Sequence, residues 1–273
     1  MSLTSFLQIP NVRAEFAKTF QFKVPKLSGE LLASPKTKHY SLIGTAFDYL
    51  LRFHIEKLNP DTSKSSWIAE LGVDMAQKQL DDYKKLKAVI DGIKRGPYFD
   101  YIHTGNLSES LFASTIVLAK LDMIYRIGRL EPDIMDYQNE DILDLKNLIS
   151  IVDDSLFKSK FFCTLNPGFG NASLLVGGAD ADMIIDGTLI DIKTTKNLKF
   201  ERGHYNQLIG YYILNKISNV NETNRKIDKI GIYFSRYGIL QTIPTSQIDE
   251  TPEFDYFVKW FEKEARTVFK NIL

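Results

Sequence analysis

The chain has 273 residues, 44% hydrophobic and 25% charged, the balance of an ordinary globular protein long enough for one large domain or two small ones. Its 34 Lys and Arg residues equal its 34 Asp and Glu residues, so the whole-chain basic surplus of a strong non-specific nucleic-acid binder is absent, although a local basic groove is not excluded. The single cysteine, Cys163, excludes an intramolecular disulfide and a cysteine-ligated zinc or iron–sulfur site within one chain.

No apolar run reaches membrane-spanning length and no signal-peptide h-region opens the chain, which predicts a cytoplasmic protein that does not engage a membrane. Residues 1–40 read as an adaptor segment: a short helix from Val12 to Phe20, then a loop containing Pro25 and Pro35. Ser41 to Leu58 is the first strong helix, with Leu42, Ala46, Tyr49, Leu50, Phe53 and Leu58 on one stripe. Asp48, Arg52 and Glu56 follow at four-residue intervals on another face. Residues 59–155 read as helical throughout. Asp81-Asp82-Tyr83-Lys84-Lys85 is a solvated face. Tyr98, Phe99, Tyr101 and His103 either pack on the core or stack on bases. Asn106–Gly128 and residues 138–152 are amphipathic helices, with a loop at Glu131-Pro132 between them.

Near residue 160 the pattern changes to strands. These are expected at Phe161–Leu165, Leu174–Ile185, Thr188–Thr194, Ile227–Ser235 and Ile239–Ile243. Helices are expected at Glu201–Lys216 and Asp249–Leu273. Cys163 lies in an apolar strand and reads as a buried structural thiol.

The most informative stretch is 177–195. Asp186-Gly187 is the dipeptide that a two-residue hairpin turn prefers, because both positions need positive φ. That turn sets Met183 opposite Ile190, Asp182 opposite Asp191, Ala181 opposite Ile192 and Asp180 opposite Lys193. Alternation then gathers Asp180, Asp182, Asp191 and Lys193 on one face. A turn offset by two residues would give Asp180 the place of Asp182. Opposed like charges cost up to about 1 kcal/mol, which a cation between the carboxylates offsets. Two carboxylates, a backbone carbonyl and waters suit Mg²⁺ or Mn²⁺, and an adjacent lysine completes a site for attack on a phosphodiester. The plainer reading is a charged, solvent-exposed hairpin face.

Gly44-Thr45-Ala46-Phe47-Asp48, Asp182, Asp191-Ile192-Lys193-Thr194 and Gln207 with Tyr211 together resemble the PD-(D/E)XK nuclease superfamily, and within it the RecB-like exonuclease branch. That branch shows Gly-Thr-x-x-His, an Asp on the second strand, Asp-x-Lys-Thr on the third and Gln-x-x-x-Tyr on the next helix. Asp48 stands where many relatives carry His. The resemblance implies an α/β, restriction-endonuclease-like mixed sheet flanked by helices, with 41–58 as first core helix, 59–155 as a helical insertion or subdomain and 156–273 as the nuclease core. It implies a Mg²⁺- or Mn²⁺-dependent deoxyribonuclease, exonuclease-like, in DNA repair, recombination or mobile-element defence, without the iron–sulfur cluster of some relatives. The alternative is an inactive module of the same fold that binds nucleic acid or a protein.

In that reading Asp182, Asp191 and the Ile192 carbonyl hold the metal, with Asp48, Glu56 or Asp180 as further acidic contributors. Asp48 and Glu56 read equally as a surface salt-bridge face with Arg52. Lys193 orients the attacking water or stabilises the developing charge, and Gln207 lies beside it. Tyr211 contacts the DNA backbone or packs in the core. His204 reads as a surface histidine. Lys196, Lys199 and Arg202 touch phosphates or belong to an ordinary charged loop. The expected partner is single- or double-stranded DNA, entered at ends, and an oligomer is compatible with the sequence.

Overall fold

The Asp186-Gly187 turn forms as its dipeptide requires. Both residues have positive φ, 45° and 79°, and the strands they join pair Ile185 with Thr188, Ile184 with Leu189 and Met183 with Ile190. The structure is a computed structural model describing residues 2–21, 23, 25–77, 82–130, 132–219 and 226–270. Asp81, Glu131 and the last three residues expected in the closing helix lie outside the described residues.

In chain order the first half holds α1 (Leu3–Phe6), α2 (Pro10–Thr19), α3 (Tyr40–Leu58), β1 (Ser63–Lys64), α4 (Ile68–Met75), α5 (Tyr83–Ile93), α6 (Phe99–Thr104), α7 (Glu109–Ile127) and α8 (Asn139–Ser150). The second half holds β2 (Cys163–Leu165), α9 (Asn171–Leu174), β3 (Met183–Ile185), β4 (Thr188–Lys193), α10 (Arg202–Asn219), β5 (Lys229–Phe234), β6 (Ile239–Pro244), α11 (Ser246–Asp249) and α12 (Phe254–Lys270). The strands form one mixed sheet in the order β1-β2-β3-β4-β5-β6. β1 is parallel to β2, β4 is parallel to β5 across the α10 crossover, and the other neighbours are antiparallel.

Alternation along the strands divides the core in two. Met183, Ile185, Ile190 and Tyr233 join one apolar cluster with α3, α4, α7 and α8. Ile184, Leu189, Ile230, Ile232 and Phe234 join the other with α1, α2, α10 and α12. A mixed α/β architecture with helices on both faces of the sheet results. Helices of the 59–155 region therefore share a core with α3 and the sheet rather than enclosing one of their own.

Three expectations need correction. The region 59–155 is not helical throughout, because Ser63 and Lys64 extend along the sheet edge beside Thr164 and Leu165. Leu174–Ile185 is not one strand. Residues 171–174 turn helical, Gly177 and Gly178 take positive φ of 75° and 123°, and regular pairing begins only at Met183. The first 20 residues are more than an adaptor. Phe6 packs on Phe261, and Phe16 and Phe20 pack on Phe257, with ring centroids 5.2, 5.0 and 4.8 Å apart. Gly210 lets Leu3 close onto α10, since a Cβ there would lie 2.9 Å from a Leu3 methyl.

Asn59 closes the neck of the helical excursion. Its amide nitrogen donates to the Ile55 and Phe157 carbonyls, each at 2.9 Å, and its amide oxygen accepts from the Ser159 N–H and hydroxyl at 2.7 and 2.9 Å. No helix among the described residues is long and apolar enough to cross a membrane.

Candidate active site

The carboxyl end of β4 lies between α3 on one face of the sheet and α10 on the other. The β3–β4 ladder stops at Met183–Ile190 because the chain before it turns to another partner. Asn166 N–H donates to the Asp182 carbonyl at 2.9 Å and Ala181 N–H to the Pro167 carbonyl at 3.2 Å. Asp182 is therefore not a ladder partner of Asp191. Its side chain fills the vacated position instead, and Oδ2 accepts the Ile192 N–H at 2.5 Å. In an extended strand a residue's N–H and C=O point to the same side, so the Ile192 carbonyl also faces this open edge.

Asp191 and Lys193 share a face two residues apart. The Lys193 ammonium lies 2.7 Å from Asp191 Oδ2. It approaches out of line with a directed hydrogen bond, so that buried oxygen has charge compensation without a well-placed donor. Lys193 donates to Gln207 Oε1 at 3.2 Å, and the Gln207 amide donates to the Tyr211 hydroxyl at 2.9 Å. The four-residue interval between Gln207 and Tyr211 places both on one stripe of α10.

The electrostatics follow from burial. The Asp182 carboxyl is pushed well above the usual aspartate range by burial and by the negative neighbours Asp48 and Asp191, against the opposing Ile192 N–H and Lys193. Burial alone would lower the Lys193 ammonium, but Asp191 and then Asp182 hold it above its ordinary value. His204 is lowered by burial and by Lys193, which places it in electrostatic reach of the site rather than on a remote surface.

Asp48 comes from the opposite layer. Gly44, one turn earlier on α3, would bring a Cβ to 3.9 Å from the Thr194 side chain, so the helix runs close past the end of β4. Asp48 pairs with Arg52, yet its Oδ1 is buried without a hydrogen-bond partner. Burial raises its carboxyl more than Arg52 lowers it. Arg52 in turn feels Asp182. Asp48, Asp182, Asp191 and Lys193, from two distant parts of the chain, thus interact.

Other expected residues lie elsewhere or are engaged. Asp180 is exposed and its backbone pairs with Gly168, not with Lys193, while its carboxyl stays within electrostatic reach of Arg52 and Arg126. Glu56 is taken by Lys64 and by the Tyr98 hydroxyl, the latter at 2.6 Å. Tyr211 is buried against Phe169, with ring centroids 5.7 Å apart, so it braces Gln207 and offers no surface to a DNA backbone. Arg202 donates to the Phe20 and Ala17 carbonyls at 2.6 and 3.3 Å and fastens the end of α2. Lys196 is exposed and lies 5.8 Å from the Tyr40 ring centroid. In the aromatic segment, Tyr98 packs against Phe53 and Trp67, while Phe99 and His103 lie against each other outside the core.

Sequence reading missed Asp122. It is fully buried, accepts the Tyr49 hydroxyl at 3.2 Å and pairs with Arg126 at 2.5 Å. Its signal was a carboxylate on the mostly apolar helix α7, with an arginine four residues on. Among the described residues, no group of three or more His, Cys, Asp or Glu side chains is gathered so that it could hold a metal ion. Comparison of the chain with protein-family models, curated proteins and solved structures gives no match.

Proposed function

We propose that the chain is a metal-dependent DNA nuclease on a restriction-endonuclease-like fold of the PD-(D/E)XK type. The observation that carries this reading is the arrangement of Asp182, Asp191, Lys193 and Gln207 at the open end of β4. The exonuclease-like character and the setting in DNA repair, recombination or mobile-element defence follow from the sequence resemblance.

The residues fit Mg²⁺ or Mn²⁺. Asp182, Asp191 and the Ile192 carbonyl offer hard oxygens, and the buried Asp48 Oδ1 lacks a donor. Mg²⁺ is commonly bound by one or two carboxylates, waters and substrate phosphates rather than by an all-protein cage, so a two-carboxylate set suffices. Bound there, such an ion supplies Lewis-acid polarisation of the scissile phosphate and a water of lowered pKa.

The protein's own groups do the rest. Lys193 remains an ammonium, which excludes it as a base and suits it to stabilise the negative charge that develops on the phosphate. Gln207 holds that ammonium through Oε1, and Tyr211 fixes which way the Gln207 amide points. The Ile192 N–H fixes the Asp182 carboxylate. Burial of Asp191 keeps water from competing with the ion pair.

The zero net charge favours a second reading, a module of the same fold that binds nucleic acid without cutting it. Degradation of linear single- and double-stranded DNA separates the two. The wild type should cut with Mg²⁺ or Mn²⁺ and stop with a chelator. Asp191→Ala and Lys193→Ala should each lose about 10²–10³-fold in rate, the loss typical of removing one group that stabilises transition-state charge. Undiminished cleavage by both variants would sink the mechanism. DNA binding without cleavage by the wild type would favour the module.

A further inference from the structure

The helical region brings a cation, Arg126, within electrostatic reach of Asp48. Arg126 stands in the last turn of α7, which Gly128 ends with a positive φ of 66°, a position where a positive charge is favourable. Its Nε lies 2.5 Å from Asp122 Oδ1 and its Nη2 3.5 Å from Oδ2. The two partners differ in exposure: the Asp122 side chain is 0% exposed and the Arg126 side chain 54%. A buried carboxylate is costly unless paired and hydrogen-bonded. Asp122 is both, through Arg126 and Tyr49. The Tyr49 ring carries the Arg52 guanidinium 4.8 Å from its centroid, and Arg52 pairs with Asp48. Contacts therefore run unbroken from Arg126 to Asp48, and Arg126 is felt electrostatically by Asp48 and by Asp180.

We infer that Arg126 is a phosphate-binding residue of this site, clamping a substrate phosphate beside the scissile one. The inference rests on the nuclease reading. Asp48, Asp180, Asp182 and Asp191 would repel a phosphodiester, and an approaching strand needs cations at the rim. Lys193 and Arg52 are largely buried in ion pairs. Arg126 is more than half exposed, is oriented from behind by a buried carboxylate, and has a guanidinium edge, Nη1, with no hydrogen bond among the described residues. A planar fork held in this way suits bidentate contact with phosphate oxygens.

The test is steady-state cleavage of linear DNA over a range of substrate and salt concentrations, by wild type, Arg126→Lys and Arg126→Gln, with a melting curve for each. Arg126→Gln keeps a donor toward Asp122 and removes the charge. It should raise KM about 10-fold with kcat within about 2-fold. It should also reduce the slope of log affinity against log salt by about 1. Arg126→Lys should fall between, because the charge stays and the fork is lost. If Arg126→Gln does not fold, Arg126→Lys alone decides, and an unchanged KM overturns the inference. Wild-type KM and salt slope in Arg126→Gln, or a loss confined to kcat, overturn it while leaving the nuclease reading intact. A wild type inactive on every nucleic acid removes both.

Discussion

The β3–β4 hairpin ends in carboxylates at both extremities, and the two ends are opposites. At the turn, Asp186 accepts three backbone N–H groups, from Lys160, Phe161 and Phe162, at 2.7, 2.9 and 3.0 Å. Burial pushes its carboxyl up, but those donors outweigh it and hold the group below the usual aspartate range. At the open end, Asp182 has one such donor and negative neighbours, and its carboxyl is displaced upward. One end uses a carboxylate to satisfy backbone. The other leaves carboxylates short of partners, at a cost in stability.

The same change, Asp to Asn, moved along the hairpin sharpens the contrast. At Asp191 it should lower the cleavage rate by at least about 10²-fold and, because it leaves the Lys193 ammonium without its charged partner, lower the melting temperature as well. At Asp186 it should act on stability alone. One charge-assisted acceptor gives way to a weaker one, costing about 1–2 kcal/mol, read as a drop of about 2–8 °C in melting temperature with the rate per folded molecule unchanged. A rate loss there would break the division between the two ends.

At Asp182 the change should abolish cleavage and, in metal-free protein, raise the melting temperature by about 2 °C at neutral pH. The sign follows from proton linkage. A carboxyl displaced upward in the folded state destabilises the fold above its folded pKa, and this cost fades as pH falls through that value. The advantage of Asp182→Asn should therefore shrink on acidification. Asp186 behaves oppositely: its contribution is present above the ordinary aspartate value and is lost as pH falls through its depressed one. Melting curves of both variants and the wild type, with chelator, across the acidic range check both signs.

The smallest effect belongs to Tyr211→Phe. It removes only the hydroxyl that orients Gln207, and should reduce kcat about 2–5-fold with little change in KM, as expected for one lost neutral hydrogen bond of about 0.5–1 kcal/mol. A full loss of activity would mean that Tyr211 acts on substrate directly.

The hairpin was legible because its turn chemistry and its period of two are local. The strand β4, the helix after it and the spacing of Gln207 from Tyr211 were legible for the same reason. The pairing of Asp182 was not. The ladder ends one residue early because the Pro167 carbonyl takes the Ala181 N–H that a regular ladder would give to Ile192, and nothing near Asp182 in the sequence announces that competitor. Ser63 and Lys64 form too short a strand to carry a pattern. Glu56 and Asp48 lie two turns apart on one helix face and looked equivalent. Packing separates them, since Lys64 and Tyr98 reach Glu56 while Gly44 brings Asp48 past the end of β4. Asp122 and Arg126 show a helical interval, but only the fold reveals which of the two is buried.

The clasp at Asn59 bears on how such a chain can diversify. A single side chain ties the departure and return of a long excursion, so the rest of the molecule meets that excursion at a fixed gate whatever its interior length, and lengthening it adds only a slowly growing closure entropy. The gate makes the helical region exchangeable in topology, but its inner surface is still the lid on α3 and one face of the sheet. A transplanted region would have to bring an equivalent apolar underside, and it would be free to present a different residue where Arg126 now stands.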